Sequence, residues 1–352
     1  MPNIKLAGHF MVGFLFAFIG LQNSGSAFSQ PVAEFYAGKT ITLFISSTPG
    51  GGYDAYARLL SRHLGRHIPG SPTIIPKNMP GAGGLTMANH FYNRGPKDGS
   101  EIATVQNGLP FEKVFHLISP EGQNALYDST KFGWIGSITQ TVFVTVTWHT
   151  SRVKTLTDAM SQASTLGAST TGSDSHVLAV LSNNLLGTKF KIVHGYDGST
   201  AVDLAVERGE VDGEAGKDWT TIMSSRPHWV TEKKINILLQ MGMKPHPDLA
   251  GVPMAIDLAK TEEDRRIMEM IFAKYGMARP ILVPPGVPPE RLAALRQAFD
   301  DTMKDPEFLA EAQKLNMEIS PVSGRDVEAL VTKIMTAPAD LAARARGALT
   351  QR

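Results

Sequence analysis

Short apolar runs alternate with helical patterns along most of the chain. Runs rich in β-branched residues, such as 41–46 and 101–105, are each followed by a small polar turn and then by apolar positions at helical spacing. Strands that alternate with helices in this way are typical of α/β folds with mostly parallel sheets. Because ligands bind at the carboxyl ends of such strands, the turns after the strands are the first place to seek a site.

The same pattern predicts two lobes. Two β-rich runs around 136–140 are interpreted as the first crossing into a second lobe, and the run at 280–283 as the return. We therefore expect one lobe from 28–140 and 281–352, with 141–280 as the other. Two crossings between lobes produce a hinged clamshell. Within the second lobe a strand is predicted at 210–214, and the three last helical segments are expected to pack on the first lobe.

Residues 1–27 have the pattern of a secretory signal peptide. Lys5 and His9 precede the apolar run 10–21, and small residues follow as far as Ala27. The run is shorter than the about 20 residues of a membrane span, although an uncleaved anchor stays open as an alternative. Cleavage after Ala27, or after Ser29, would release an exported, freely soluble chain.

Composition removes several classes of function. The 352 residues include no cysteine, which excludes disulfide frameworks, thiolate metal sites and cysteine nucleophiles. The 34 basic residues nearly balance the 33 acidic ones, so no overall charge attracts nucleic acid. We expect a monomer that binds no nucleic acid, metal or cofactor.

Three predicted strand-to-helix turns are rich in glycine and hydroxyl residues. Glycine lets the backbone approach a ligand closely, and the first N–H groups of a helix are free to bind an anion. Ordinary turns between strand and helix have similar compositions, so this alternative stays open. The candidate ligand-binding residues in these turns are Gly50, Gly51, Gly52, Tyr53 and Asp54, then Gly81, Ala82, Gly83 and Gly84, and finally Thr171, Gly172, Ser173, Asp174 and His176.

Further candidates follow other predicted strands. Lys217 is the only cation that we expect near a bound anion, and an aromatic hydroxyl such as that of Tyr196 is suited to a cleft. For Asp54 and Ser199 an alternative role is open, because each has a side chain that can cap its helix instead of contacting a ligand. The additional candidates are Gln106, Asn107, Tyr196, Gly198, Ser199, Lys217 and Asp218.

Nucleotide and hydrolase motifs fail on their spacing. Thr86 occupies the position where the dinucleotide fingerprint has Gly or Ala, and Lys217 is followed by Asp218 where a P-loop has Ser or Thr. Ser173, Asp174 and His176 have the residue types of a catalytic triad. However, residues within one helical turn are poorly placed to form the required chain of hydrogen bonds.

An ordered set of motifs carries a family resemblance over nearly the whole chain after the signal peptide. The set consists of Pro49-Gly50-Gly51-Gly52-Tyr53-Asp54, Asn78-Met79-Pro80-Gly81-Ala82-Gly83-Gly84, Pro96-Lys97-Asp98-Gly99, Gly172-Ser173-x-x-His176, Gly195-Tyr196-x-Gly198-Ser199 and Pro284-Pro285-Gly286-Val287-Pro288. It resembles the Bug-type solute receptors, the extracytoplasmic binding proteins of tripartite tricarboxylate transporters.

The resemblance implies a fold and a function. The fold is the two-lobed periplasmic binding protein of type II, often called a Venus flytrap, and the ligand is a small carboxylate. Its carboxyl groups are held by residues that correspond to Gly51, Gly52, Asp54, Gly83, Ser173 and His176. Membrane transporter subunits are the implied transient partners. The chain departs from the family at Asp197, where many members have Lys, and in an aromatic segment that contains Trp219 and Trp229.

The sequence therefore favours a non-enzymatic receptor that captures a small organic carboxylate between its lobes. Two alternatives remain at this point. One is a ligand-sensing partner of a signalling receptor, which would share the cleft and differ only in its partner. The other is a periplasmic hydrolase, which would need a nucleophile, base and orienting group from different loops to converge within about 3 Å.

Overall fold

The computed structural model describes residues 31–119 and 122–350. The predicted signal peptide and both cleavage positions lie outside these residues. Within them, two β-sheets are each flanked by helices, which confirms the predicted two-lobed α/β fold. We call the part built on the six-stranded sheet the first lobe and the part built on the five-stranded sheet the second lobe.

The strands and helices alternate for most of the chain. The strands are β1 (Thr40–Ile45), β2 (Thr73–Asn78), β3 (Glu101–Thr104), β4 (Gly133–Ser137), β5 (Phe143–Trp148), β6 (Ser164–Gly167), β7 (Phe190–Val193), β8 (Gly213–Asp218), β9 (Ile235–Met241), β10 (Pro280–Val283) and β11 (Val322–Ser323). The helices are α1 (Val32–Tyr36), α2 (Gly52–His63), α3 (Leu85–Arg94), α4 (Glu112–Phe115), α5 (Leu156–Ser161), α6 (Asp174–Leu181), α7 (Ser199–Glu207), α8 (Trp219–Ser225), α9 (Pro227–Thr231), α10 (Glu262–Phe272), α11 (Pro289–Thr302), α12 (Pro306–Lys314), α13 (Gly324–Met335) and α14 (Ala339–Leu349).

Both sheets are mixed, so the prediction of mostly parallel sheets is wrong in this respect. The strand orders are β11-β4-β10-β3-β1-β2 and β7-β6-β8-β5-β9. Parallel pairing joins β1 to β2 and β3, and β6 to β7 and β8, whereas the other pairings are antiparallel. The reason lies in the crossings. Strands β5 and β10 enter their sheet from the opposite lobe, at the carboxyl-end edge of the parallel strands of that sheet, so they run antiparallel to those strands.

The chain crosses twice between the sheets, as predicted. It leaves the first sheet after β4 and returns at β10, with β5 to β9 forming the second sheet in between. Of the C-terminal helices, α12 packs on α2 and α13 packs on β4, both in the first lobe. The last helix differs from the expectation, because α14 packs against α4, α6 and α10 and so also contacts the second lobe.

Strand β8 lies further along the chain than the sequence predicts. The expected strand at 210–214 is replaced by Gly213–Asp218, in which every residue is buried. Glu214, Lys217 and Asp218 make this segment look like a polar turn, because their burial depends on ion pairs with other elements. A local pattern cannot show such partners.

Apolar side chains from strand and helix fill the interior of each lobe. In the first lobe Leu43 and Ile102 pack with Phe299 of α11, and all three are fully buried. In the second lobe Val144 and Val146 of β5 pack with Trp219. No helix between residues 31 and 350, with 120–121 left aside, is both long and apolar enough to cross a membrane.

Candidate functional site

A cleft of about 280 Å³ lies at the carboxyl ends of strands from both sheets. Residues from the turns after β1, β2, β3, β6 and β7 line it, together with residues of β8. Sheets place ligands at this edge because the turns there are free to vary. The lining residues are Ser46, Ser47, Thr48, Gly51, Gly52, Tyr53, Pro80, Gly81, Gly83, Gly84, Gln106, Phe143, Ser169, Thr170, Ser173, Asp174, Ser175, Asp197, Gly198, Ser199, Glu214, Gly216, Lys217, Asp218, Thr221 and Arg279.

Three helices that do not continue an earlier helical turn begin at this cleft without a side-chain cap. Helix α3, whose N-cap Gly84 also lines the cleft, has no side-chain cap either, but it continues a short 3-10 turn at Ala82–Gly84. The N-cap residues are Gly51 for α2, Ser173 for α6 and Gly198 for α7, and none caps its helix through a side-chain hydrogen bond. Glycine has no side chain for this purpose, and Ser173 Oγ donates instead to the Thr170 carbonyl oxygen at 2.6 Å. The first N–H groups of each helix therefore remain available to an anion, and the helix dipole favours negative charge there.

Several helices that begin away from the cleft are closed by a side-chain cap or by proline. Thr155, Thr261, Asp305 and Ser323 cap α5, α10, α12 and α13 through their side chains. Prolines precede or begin α11 and α14. One helix at the cleft, α8, also has a cap, because Asp218 accepts a hydrogen bond from the Thr221 N–H. The uncapped starts of α2, α6 and α7 thus converge on one cavity.

Glycine at one position lets β8 reach the start of α6. Gly216 has a φ of +64°, a conformation that glycine adopts readily and other residues rarely adopt. A Cβ at this position would lie 2.3 Å from the Asp174 carbonyl oxygen. Any larger residue would push the N-terminus of α6 out of the cleft wall.

The two lobes meet closely around the cleft. A Cβ on Gly52 of the first lobe would lie 2.7 Å from Thr221 Oγ1 of the second. On the other side, a Cβ on Gly172 of the second lobe would lie 2.6 Å from the carbonyl oxygen of Leu117 in the first. Both contacts depend on the present approach of the lobes.

A buried ion pair forms one end of the cleft. Arg279 Nη2 donates to Asp218 Oδ2 at 2.9 Å and to Thr221 Oγ1 at 3.2 Å. The guanidinium also stacks on Tyr53, at 4.5 Å from the ring centroid. Burial acts to raise the pKa of Asp218, but Arg279 and hydrogen bonds from Thr220 and Thr221 outweigh it and hold that pKa below its ordinary value.

Lys217 does not supply the free cation that the sequence suggested. Its Nζ donates to Asp203 and lies 3.4 Å from Glu214 Oε2, and the side chain is 2% exposed. Two carboxylates therefore already balance its charge. Arg279 is a second cation in the wall, and Asp218 balances it in the same way. The donors that the cleft wall offers to an anion are therefore backbone N–H groups and side-chain hydroxyls rather than an unpaired cation.

Asp174, the first residue of α6, is tied to the segment after α10. Its Oδ1 accepts hydrogen bonds from Lys274 Nζ at 2.8 Å and from the Tyr275 hydroxyl at 3.0 Å. Lys274 is almost fully buried, so this ion pair fixes the helix start in place.

The structure brings many of the predicted site residues together and leaves others outside the cleft. Asn107 and Gly172 line only a neighbouring cavity of about 10 Å³. Those on the wall are Gly51, Gly52, Tyr53, Gly81, Gly83, Gly84, Gln106, Ser173, Asp174, Gly198, Ser199, Lys217 and Asp218. Those off the wall are Gly50, Asp54, Ala82, Asn107, Thr171, Gly172, His176 and Tyr196.

Asp54 shapes the first turn instead of lining the cleft. Its Oδ2 accepts from the Gly50 N–H at 3.0 Å and from Arg58 Nε at 2.9 Å, and its Oδ1 accepts from Asn78 Nδ2 at 2.9 Å. Burial alone raises the pKa of Asp54, but the bonds from Arg58, Gly50 and Asn78 hold it below its ordinary value. The carboxylate therefore folds the glycine turn back onto its own helix.

We expect Asp54→Asn to lower the free energy of unfolding by about 1 kcal/mol at pH 7, the scale of one hydrogen bond. The pKa of Asp54 is lower in the folded than in the unfolded protein. The stabilisation is therefore complete when the pH is above the unfolded pKa of about 3.9, and it is lost as the pH falls through the folded pKa. Urea unfolding at pH 7 and pH 3 measures it. Asp257→Asn, at an exposed carboxylate, is the control, and a difference that does not shrink at pH 3 would contradict the assignment.

His176 faces inward and forms no catalytic chain. It is buried beside His194, with ring centroids 4.9 Å apart, and burial together with His194 lowers its pKa to about 4. Ser173 Oγ bonds to Thr170 and Ser175, whereas Asp174 bonds to Lys274 and Tyr275. The three residues that had the triad types are thus engaged separately. In the part of the chain that the structure describes, no cluster of three or more His, Cys, Asp or Glu side chains is arranged to hold a metal ion.

A larger groove of about 1000 Å³ lies beside the first crossing between the sheets, at residues 140–142, and contains none of the predicted site residues. It runs between the loop at 243–248 and the segment at 309–320, where His246 Nε2 and Glu318 Oε2 are 3.0 Å apart. No uncapped start of α2, α6 or α7 opens into it. The smaller cleft is therefore the better candidate, because the features that recognise an anion converge there.

Several residues of the cleft wall were not found from the sequence. Thr48, Ser169 and Thr170 extend turns that had been recognised, so their composition was a usable signal. Arg279 offered a weaker one, since an arginine directly before the apolar strand β10 needs a buried partner. Glu214 offered no signal, because the sequence predicts it to be the last residue of a strand at 210–214, whereas it lies near the start of β8.

Solved structures share this architecture. The periplasmic binding protein BugD superposes with a TM-score of 0.68 at 17% sequence identity, covering 90% of this chain and 100% of BugD. Rpa4515 of R. palustris, solved with adipate, gives 0.66 at 20% identity, covering 88% of this chain and 97% of its own. MatC of Rhodopseudomonas palustris, solved with bound malate, gives 0.66 at 18% identity, covering 89% and 99%.

The chain has the fold of periplasmic binding proteins. At these identities the likeness establishes the fold, which confirms the architecture that the motif resemblance implied. No protein-family model matches the chain, and no curated protein sequence does. The function must therefore be argued from the cleft itself.

Proposed function

We propose that the protein is a periplasmic solute receptor that captures a small organic carboxylate between its two lobes. The observation that carries this proposal is the convergence of three uncapped helix starts, at Gly51, Ser173 and Gly198, on one cleft. One start belongs to the first lobe and two belong to the second. A ligand with two anionic groups is thus suited to bridge the lobes.

The charges of the wall support dipole-based recognition. Lys217 and Arg279 are both paired with carboxylates, so neither supplies an unpaired positive charge. Backbone N–H groups at helix starts bind anions without a cationic side chain. The volume of about 280 Å³ is suited to a small molecule rather than to a polymer.

Binding and closure are then linked. A ligand shifts the hinge equilibrium only as far as it binds the two states differently, and contacts from both lobes exist together only when the lobes meet. We propose that the lobes comprise 28–140 with 281–352, and 141–280, and that the closed form is presented to membrane transporter subunits. Rpa4515 with adipate and MatC with malate show that the same fold occurs with dicarboxylates.

The proposal predicts a strong dependence on the ligand's charge. In isothermal titration calorimetry the mature protein should bind malate or adipate, and the dimethyl ester of the same acid should bind at least about tenfold more weakly. Hydrogen bonds to charged groups contribute about 1.5–3 kcal/mol each, and esterification removes the charge while retaining the carbon skeleton. Equal affinity for acid and ester would contradict recognition by helix starts.

A further inference from the structure

Three buried ionisable side chains lie together in the second lobe, beside the cleft. Glu214 and Lys217 belong to β8 and line the cleft, and Asp203 belongs to α7 behind it. Lys217 Nζ donates to Asp203 Oδ1 and lies 3.4 Å from Glu214 Oε2. None of the three side chains is more than 5% exposed. With all three groups ionised, this trio carries one excess negative charge.

Glu214 is the member of the trio that is least completely partnered. Its Oε2 is buried and has no hydrogen-bond partner among the described residues, whereas Asp203 accepts a hydrogen bond from Lys217. A buried carboxylate with incomplete partners is costly, so proton binding is the favoured way to relieve it. Burial raises the pKa of Glu214 to about 7; Lys217 opposes this shift and Asp203 adds to it.

Other charged groups near β8 do not balance this excess. The elements packed against β8 are β5, β6, α6, α7 and α8. Strands β5 and β6 and helix α8 contain no ionisable acid, base or histidine. On α6, Asp174 is paired with Lys274 and His176 has a lowered pKa, which keeps it uncharged near neutrality.

The remaining neighbours are paired as well. At the end of α7, Glu207 lies 3.3 Å from Arg226 and accepts a hydrogen bond from Trp229. On β8 itself, Asp218 is paired with Arg279. The unbalanced buried charge of the wall is therefore that of the trio, because the one further carboxylate among the lining residues, Asp197, is exposed to solvent.

We propose that Glu214 takes up a proton when an anionic ligand enters the cleft, so that ligand capture is coupled to proton uptake. This inference rests on the proposed function, because it requires an anion in the cleft. A nearby negative charge disfavours the ionised form of a carboxyl group. Protonation of Glu214 removes the excess charge of the trio while Lys217 and Asp203 keep their ion pair.

The sign of the pH dependence follows from linkage. A group whose pKa is higher in the ligand-bound protein strengthens binding to its full extent when the pH is below its pKa in the free protein. This gain in affinity is lost as the pH rises through its pKa in the bound protein. Affinity is therefore constant below about pH 7 and falls above it, by at most about tenfold per pH unit for one proton. The carboxyl groups of the ligand are already ionised in this range.

Calorimetry in two buffers tests the coupling directly. The mature protein is titrated with malate or adipate at pH 7.5 in HEPES and in Tris, which have very different heats of ionisation. We expect binding enthalpies that differ between the buffers by the heat of up to one proton. Glu214→Gln, which keeps the shape of the side chain, should abolish this difference. The control Glu210→Gln, at an exposed carboxylate just before β8, should retain it.

Equal enthalpies in the two buffers for the unmodified protein would overturn the inference, whatever the folding of the variants. An undiminished difference in Glu214→Gln would also overturn it, because the proton would then bind elsewhere. Absence of binding by either acid at pH 6, 7 and 8 is a separate result, which would overturn the proposed function and proton-coupled capture together.

Discussion

Arg279→Met should lower the free energy of unfolding by about 3–5 kcal/mol, the cost of removing one partner from a buried ion pair. Arg279 and Asp218 are both buried, with their closest atoms 2.9 Å apart. Methionine fills a similar volume but leaves the Asp218 carboxylate without its counter-charge. The variant also removes the stacking contacts on Tyr53 and Tyr56. Urea unfolding of the mature protein at pH 7 measures the loss.

A surface ion pair supplies the matched control for this prediction. Arg344 contacts Glu263 at 2.6 Å, and both side chains are about half exposed. Arg344→Met should change the free energy of unfolding by less than about 1 kcal/mol, since solvent screens exposed pairs. A loss below 1 kcal/mol for Arg279→Met as well would show that water reaches the Arg279–Asp218 pair in solution.

Gly172→Ala should weaken ligand binding by about 5- to 150-fold and leave the unliganded protein nearly as stable as before. The added Cβ would lie 2.6 Å from the carbonyl oxygen of Leu117 in the other lobe. A backbone atom cannot rotate away, so the strain falls on the closed arrangement. Overpacking of this kind costs about 1–3 kcal/mol, which corresponds to a loss of affinity of about 5- to 150-fold. Calorimetry with malate or adipate, together with a thermal melt of the free protein, separates the two effects.

Gly347→Ala provides the comparison for that substitution. A Cβ at Gly347 meets no atom within 4 Å, so neither affinity nor stability should fall. If Gly172→Ala binds the acid as tightly as the unmodified protein, the contact with Leu117 is not part of the ligand-bound form. The two lobes would then close around the ligand in an arrangement different from the one described.

The turns were predictable because their chemistry is local. Gly51, Ser173 and Gly198 stand where a strand gives way to a helix, and both signals lie within a few residues of each other. For Gly51 and Gly198 the absence of a cap also follows locally, since glycine has no side chain, whereas for Ser173 it depends on the hydrogen bond from its hydroxyl to the Thr170 carbonyl oxygen. The rule that carboxyl ends of neighbouring strands share an edge brings Ser173 and Gly198 together, because β6 and β7 are neighbours in one sheet. Gly51 follows a strand of the other sheet, so its place in the same cleft depends on how the two sheets face each other.

Asp54 shows where local reasoning reached its limit. The sequence placed it at a helix start beside glycines, which suits a ligand contact or a cap equally well. The structure instead connects it to Asn78, 24 residues further along the chain. Only the parallel pairing of β1 with β2 brings that partner within reach.

The sequence by itself determined the alternation of strands and helices, the two crossings and the positions of the glycine turns, because these depend on local periodicity and backbone freedom. The tertiary structure decided which charges are available in the cleft. Lys217 reads as a free cation, yet Asp203 and Glu214 neutralise it, and Arg279 becomes part of the wall through Asp218. Ion pairs between distant residues depend on burial and on distance in space, and neither is encoded in the spacing of residues along the chain.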